Sequence, residues 1–365
     1  MKIVIVGGGA AGLAIGWRLS QAGASVTVLE RAQPGRAATW AAAGMIAVAG
    51  EAGGGNTAEA QFSSHSSTLW PEFAKELEAV SGTNIGYVRR GALMVQLPGE
   101  DAGWLPTGDL VERVAHDRAH ELEPVLARDL GAVLWAPQEA QVDNRALGIA
   151  LARAFVAAGG ELMLNETAVR FDIRSGRAAS VQTPFRRYEA DAFLIAAGAW
   201  SSLIEGLPEN ARPPVKPIKG EMISVAGTQL PSHVIRGART YLVPRDDRLL
   251  IGATVEDVGF ETHLTKEARE SLFDDACALV PCIARADIVE HWAGLRPGTP
   301  DDLPILGATT VSGLFAATGQ FRNGILFAPA IAELMCDVLL GRAEVPSAFD
   351  ARRFCNQEVQ DDGSV

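Results

Sequence analysis

The chain alternates between two hydrophobic rhythms. Ile3 to Val6 is a continuous apolar run, as in a strand buried on both faces. Gly7-Gly8-Gly9-Ala10-Ala11-Gly12 reads as a turn, Leu13 to Ala22 has helical periodicity ended by Gly23, and Ser25 to Glu30 reads as a second strand. That order predicts a parallel βαβ unit. Ser63 to Val80 places Trp70, Phe73, Leu77 and Val80 on one helical face despite Pro71, and Gly91 to Leu97 reads as a strand. Asp117 to Glu123 suggests a short helix, and Asn144 to Gly159 a clear amphipathic one. Strand patterns follow over Glu161 to Asn165, Ala168 to Ile173 and Ala190 to Ile195, the last running into Ala196-Ala197-Gly198-Ala199-Trp200. Beyond a linker at Pro213 to Pro217 come strands over Glu221 to Ala226, Thr240 to Pro244 and Arg248 to Ala253, then a helix from about Lys266 to Leu279. Trp292 to Pro297, a last strand over Gly313 to Ala317 and a long apolar helix from about Gly324 to Leu340 complete the pattern.

Nucleotide-type βαβ signals thus recur at both ends and in the middle, with antiparallel-looking segments between. The expected fold class is α/β plus α+β: a Rossmann-like dinucleotide-binding domain beside a second, mainly antiparallel β-sheet substrate domain, each visited more than once. The expected boundaries are 1–85, 139–212 and 290–350 for the first domain, 86–138 and 213–289 for the second, and 355–365 as a frayed tail. Gly50 to Asn56 is glycine-rich and reads as a mobile loop.

The chemistry begins with Gly7-x-Gly9-x-x-Gly12. By itself this triplet is a weak signal. Here it follows a strand, opens a helix and is followed by an acid, Glu30, at the end of the next strand. Gly7 permits the tight turn, Gly9 lets a pyrophosphate approach the backbone, and Gly12 lets helix and strand pack closely. The helix N-terminus favours phosphate charge, and Glu30 can accept hydrogen bonds from a ribose. The glycines do not separate FAD from NAD. Two later features favour FAD. The strand ending in Ala196-Ala197-Gly198 lets the backbone pass close to an ADP moiety, although a plain core strand is the alternative reading. Phe321-Arg322-Asn323-Gly324-Ile325, at the predicted start of the last helix, offers backbone N–H donors to the edge of a reduced flavin.

Composition narrows the partners. Lys plus Arg number 32 against 44 Asp plus Glu, a formal charge of −12, with no basic stripe for nucleic acid. The four cysteines, Cys277, Cys282, Cys336 and Cys355, form no CxxC pair, so free thiols and a cytoplasmic address are expected. No signal peptide and no membrane span are expected. His116 and His120 share i,i+4 spacing, but no carboxylate or cysteine pattern supports a metal, and none is expected.

At this point several segments together resemble a known family: Gly7 to Leu13, Val28 to Arg31, Ala38 to Met45, Trp292 to Asp301, Leu303 to Gly307 and Ala317 to Leu326. In that order they are similar to the FAD-dependent D-amino-acid-oxidase superfamily, and within it to the glycine oxidases of the thiamine-biosynthesis type. The resemblance runs from Met1 to about Phe354. It implies that Ala10, Ala11, Glu30 and Arg31 contact FAD, that Ala38, Thr39, Ala43, Gly44 and Met45 form the loop beside the flavin, and that Val169 offers a backbone contact to adenine. It also implies that Gln320, Phe321, Arg322, Asn323, Gly324, Ile325 and Leu326 lie at the pyrimidine edge of the flavin, that Arg296 and Arg322 hold substrate, and that Tyr241 is an active-site tyrosine. Gln320 stands where the family often has His, and near Val48 the family often has Pro or a similar residue. The cysteines lie outside the Gly319 to Leu326 loop, so FAD is expected to bind non-covalently.

An enzyme of this kind needs orientation more than a protein acid or base, because the cofactor carries the redox chemistry. A bidentate arginine–carboxylate pair gives that orientation. Arg296, within Gly-Leu-Arg-Pro, fits the role, the alternative being a structural ion pair. Arg322 reads either as a substrate contact or as a cap or salt bridge. Tyr241 reads either as a carboxylate partner or as a half-buried core residue. The expected activity is FAD-dependent oxidative deamination of a small amino acid: glycine, sarcosine or a small D-amino acid. Hydride passes from Cα to flavin N5, and the imino acid hydrolyses to glyoxylate or another 2-oxo acid with release of ammonia. O2 is the second substrate and H2O2 a product. The alternative is a D-amino-acid or imino-acid dehydrogenase that passes electrons to a quinone or other acceptor. A homo-oligomer is compatible with either.

Overall fold

In a computed structural model of the protein, residues 1–52 and 57–355 are described. Two sheets organise them. The first has six strands in the order Ile305–Ala308, Leu314–Thr318, Ala192–Ile195, Lys2–Val6, Ser25–Glu30, Glu161–Leu164. All neighbours are parallel except the edge strand Ile305–Ala308. The unbroken apolar run Ile3 to Val6 is central, and its four side chains are buried because both faces of a parallel sheet are covered. On one face Ile3 and Ile5 meet the helices Ala10–Gln21, Asn144–Ala157 and Ala328–Leu339. On the other, Val4 and Val6 meet Phe171, Phe193 and Leu314.

The second sheet has eight strands in the order Asp287–Gly298, Lys216–Ala226, Leu249–Gly252, Tyr241–Pro244, Val234–Arg236, Ala92–Val95, Val133–Ala136, Glu112–Arg113. It is antiparallel apart from the pairing of Val234–Arg236 with Ala92–Val95. Its long ladder joins Lys216–Ala226 to Asp287–Gly298. Residues 290–298 therefore pair within the antiparallel sheet, beyond the boundary drawn at 289/290.

Most predicted elements appear within a residue or two. The helix expected over Ser63 to Val80 runs Ala58–Ser81, with the Thr57 hydroxyl accepting from Ala60 N and Gly82 in the left-handed conformation beyond its end. The linker expected at Pro213 to Pro217 is shorter, since Lys216 already pairs with Gly298. The last helix departs most. It begins at Ala328, not Gly324. Gly319 and Phe321 have φ of 74° and 42°, and Asn323 N donates to Gln320 O at 2.8 Å, so the segment before Ala328 is a string of turns. Pro329 sits in the first turn of the helix, where its missing N–H costs nothing. The Gly50 to Asn56 loop lies largely, and the tail beyond Cys355 wholly, outside the described residues. Among the described residues no helix is long and apolar enough to cross a membrane, and no group of three or more His, Cys, Asp or Glu is placed to hold a metal. His116 and His120 instead bond the carbonyls of Gly131 and Ala127, at 2.8 and 3.0 Å.

Candidate active site

A cavity of about 530 Å³ lies between the ends of the parallel strands and one face of the antiparallel sheet. It is large enough for a cofactor and a small substrate to share. At one end stand Gly7 to Ala11, Glu30, Arg31 and Ala197 to Trp200. At the other stand Met45, Gly220, Met222, Tyr241, Arg296 and the 320–325 turns.

The nucleotide end is shaped by backbone. Gly7 has φ of 112°, and a Cβ there would lie 2.3 Å from Ala196 O. A Cβ on Gly12 would lie 2.0 Å from Gly7 O, so Gly12 does not face the cavity but lets the helix seat beneath it. A Cβ on Gly9 meets nothing nearer than Thr39 Oγ1 at 3.6 Å, so the space in front of Gly9 is open, as a pyrophosphate approach requires. Gly8 N and Ala32 N donate to Glu30 Oε2 and Oε1 at 2.8 and 2.9 Å. These bonds fix the carboxylate and leave each oxygen a lone pair for a ribose hydroxyl. Ala10 N donates to Thr39 Oγ1 at 3.0 Å, tying the helix N-terminus to the 38–45 loop. Arg31 stacks 3.5 Å over the Trp200 ring. Val169 lines the cavity too, but its N–H donates to Gln182 O at 2.8 Å and its carbonyl accepts from Glu205 N at 2.9 Å, so both backbone groups are already engaged within the protein.

The 38–45 loop is held from beneath by a residue the sequence did not single out. Arg245 donates to Ala43 O at 2.6 Å, Val142 O at 2.8 Å and Pro244 O at 3.0 Å. Burial pulls its guanidinium down to about 10, still charged at neutral pH. Arg245→Met should strand those carbonyls and loosen Ala43, Gly44 and Met45. The expected result is a folded protein that loses FAD on dialysis at least tenfold faster than wild type, as read from the absorbance that stays with the protein.

Of the sequence-named residues of the last turns, Gln320 to Ile325 line the cavity. Leu326 does not: it is buried, and its carbonyl accepts from Ser66 Oγ and Trp70 Nε1. Because the helix starts later than expected, turn backbone and not a helix end faces the flavin side. Gln320 is 7% exposed and lines the cavity, but its Nε2 is itself covered and has no hydrogen-bond partner among the described residues. None of the four cysteines lines the cavity.

The other end of the cavity turns on Arg296. Its strand pairs with Lys216–Ala226 in a register that opposes Arg296 to Ile218 and Gly294 to Gly220. Residues opposite one another share a face, so Arg296, Gly294, Gly220 and Met222 front the cavity together. A Cβ on Gly220 would lie 2.1 Å from Arg296 Nη1, so any larger residue there would displace the guanidinium from this position. Among the described residues, Arg296 bonds protein through Nη1 alone, to Thr254 O at 3.1 Å and Lys219 O at 3.4 Å. No described carboxylate pairs with it, which removes the structural ion-pair reading. Tyr241 stands on the same wall, its hydroxyl 3.8 Å from Met222 Sδ. Arg322 lines the cavity with its guanidinium 5.6 Å from the Phe321 ring.

The model of the FAD dependent oxidoreductases (DAO) matches residues 2–338. The chain belongs to that family. It is 35% identical to a glycine oxidase of Geobacillus kaustophilus over 96% of this chain and 95% of that protein. It is 38% identical to the bifunctional protein ThiO/ThiG of Trichormus variabilis over 97% of this chain but 55% of that protein, so it spans about half the length of that relative. The crystal structure of the Geobacillus kaustophilus glycine oxidase superposes with a TM-score of 0.89 at 31% identity, covering 96% of this chain and 97% of the other. The family is FAD dependent, and the open glycine cradle and the fixed Glu30 carboxylate fit that cofactor.

Proposed function

We propose that this protein oxidatively deaminates a small amino acid, glycine first among the candidates, with sarcosine and small D-amino acids as the others. One observation carries the reading. Among the described residues Arg296 has no carboxylate partner and bonds protein through Nη1 alone, so a guanidinium that lines the cavity keeps donors for the two oxygens of a substrate carboxylate. Relatives named glycine oxidase, matched along nearly their whole length, support it. Bound FAD supplies the two-electron acceptor that takes the hydride from Cα. The chain's own part is orientation. Arg296 fixes the carboxylate, the Tyr241 hydroxyl stands by as a second contact, and the turns around Gln320 hold the flavin end.

The wall that carries Arg296 is built of small residues beside it: Gly220 lies under the guanidinium, and Gly294 packs against Ala41, where a Cβ would lie 2.3 Å from the Ala41 Cβ. No proton-transfer residue is required if the amine arrives neutral. The imine product then hydrolyses to glyoxylate or another 2-oxo acid and ammonia, with O2 reduced to H2O2. The test is anaerobic mixing of the FAD-loaded protein with glycine, sarcosine, D-alanine and D-proline, followed by admission of O2. Bleaching of the flavin band with glycine and rapid recovery in O2 are expected. No bleaching with any of the four would overturn the reading, and recovery only with a quinone would reassign the acceptor.

A further inference from the structure

The charged groups behind the substrate sheet have no part in the chemistry above. Lys219 and Glu221 sit two apart on the strand Lys216–Ala226, so their side chains leave the face opposite the cavity. Their side chains are 4% and 0% exposed. Lys219 Nζ donates to Glu221 Oε1 at 2.7 Å and to Glu256 Oε2 at 3.2 Å. Glu221 Oε1 also accepts from Thr265 Oγ1, and Oε2 from Thr265 N, each at 3.0 Å, while His291 Nε2 lies 2.7 Å from Oε2. Thr254 Oγ1 donates to Glu256 Oε1 at 2.5 Å and accepts from Glu221 N at 2.9 Å. Burial alone would favour the neutral forms. Pairing outweighs it, leaving Lys219 above and Glu221 below their ordinary values.

A buried ion pair is a poor source of stability, since well-packed apolar residues of similar volume often do as well or better. What this one holds is specific. Backbone bonds between Lys219 and Glu256, at 2.9 and 3.0 Å, lay the 254–256 segment along the strand. The side-chain network then fixes both ends of that loop, at Thr254 and Glu256 and again at Thr265. The two carbonyls so immobilised, Lys219 O and Thr254 O, are the two that Arg296 Nη1 bonds.

We propose that Lys219, Glu221, Glu256 and Thr254 form a positioning network that sets the orientation of the carboxylate-binding arginine, Arg296, from the far face of the sheet. The inference rests on the function proposed above. It makes these residues supports that touch neither substrate nor cofactor, and it makes Lys219 O and Thr254 O the seat of the guanidinium.

The test uses the FAD-loaded full chain and acetate, a carboxylate with no amine to oxidise, followed by perturbation of the flavin spectrum. Lys219→Met and the milder Glu256→Gln should each weaken acetate binding at least tenfold while retaining FAD. In an Arg296→Lys background the same changes should cost less than twofold, because what they orient is gone. Acetate affinity within twofold of wild type in both single variants overturns the proposal, as does an undiminished effect in the Arg296→Lys background. Should Lys219→Met fail to fold, Glu256→Gln decides alone. If Arg296→Lys binds acetate as wild type does, the carboxylate role of Arg296 fails, and the positioning role with it; if Arg296→Lys weakens binding and the network variants do not, the positioning role alone fails.

Discussion

Arg296→Ala should lower kcat/KM for the preferred small amino acid by about 10²- to 10³-fold, the cost of losing one partner of a buried, hydrogen-bonded charge pair. The fold should survive, because among the described residues the guanidinium holds no carboxylate and only two backbone carbonyls. FAD absorbance per mole of protein should therefore match wild type, and the loss should appear in substrate and carboxylate-inhibitor binding. Arg296→Lys separates charge from geometry. A lysine ammonium keeps the charge but lacks the planar fork, so an intermediate loss is expected. Unchanged affinity for a carboxylate inhibitor in Arg296→Ala would move the anchor elsewhere in the cavity, with Arg322 the next residue to replace.

The second large effect is expected at the glycine turn, and it differs between neighbours. Gly7→Ala should give little or no folded, FAD-loaded protein. Alanine is strained at φ of 112°, and its Cβ would lie 2.3 Å from Ala196 O. The backbone has nowhere to retreat, since Gly7 N donates to Leu29 O at 2.9 Å and Ala196 N to Val6 O at 2.8 Å. Left-handed strain costs about 1–3 kcal/mol and overpacking about 1–3 kcal/mol more, against a typical total stability of only about 5–15 kcal/mol. Gly9→Ala should fold. Its φ is −81°, and the added methyl meets only Thr39 Oγ1 at 3.6 Å. That methyl instead fills the space a pyrophosphate would use, so the protein should melt near the wild-type temperature yet purify colourless. Thermal melting together with the flavin-to-protein absorbance ratio separates the two cases. A yellow Gly9→Ala protein with wild-type FAD affinity would displace the pyrophosphate from that turn.

The nucleotide end was legible because its signal is local. Three glycines, a flanking apolar run and an acid at a strand end all lie within the first thirty-one residues, and each does a job set by its immediate neighbours. That Arg296 fronts the cavity was legible by resemblance and by its wedge of Leu and Pro, but its seat was not. That seat is assembled from Lys219 and Thr254, brought together only when two strands and a loop adopt their register. Charged residues at 219 and 221, on one face of a mostly apolar strand, were the available hint. Arg245 lies in Pro-Arg-Asp-Asp-Arg, which reads as a solvated turn, and its three carbonyl partners are scattered along the chain. The late start of the last helix carried its own marker in Pro329, which favours a first-turn position over a helix interior.

The ladder between Lys216–Ala226 and Asp287–Gly298 has a consequence for how a substrate is admitted. A side chain on a paired strand brings little backbone freedom to be frozen when a ligand arrives, and Gly220 and the two carbonyls further limit where this guanidinium can sit. On the proposed function, the site would therefore meet a carboxylate much as a mould meets a casting. Discrimination among amino acids would then become a question of which α-substituent the stiff wall tolerates, with the anchor the same for all of them.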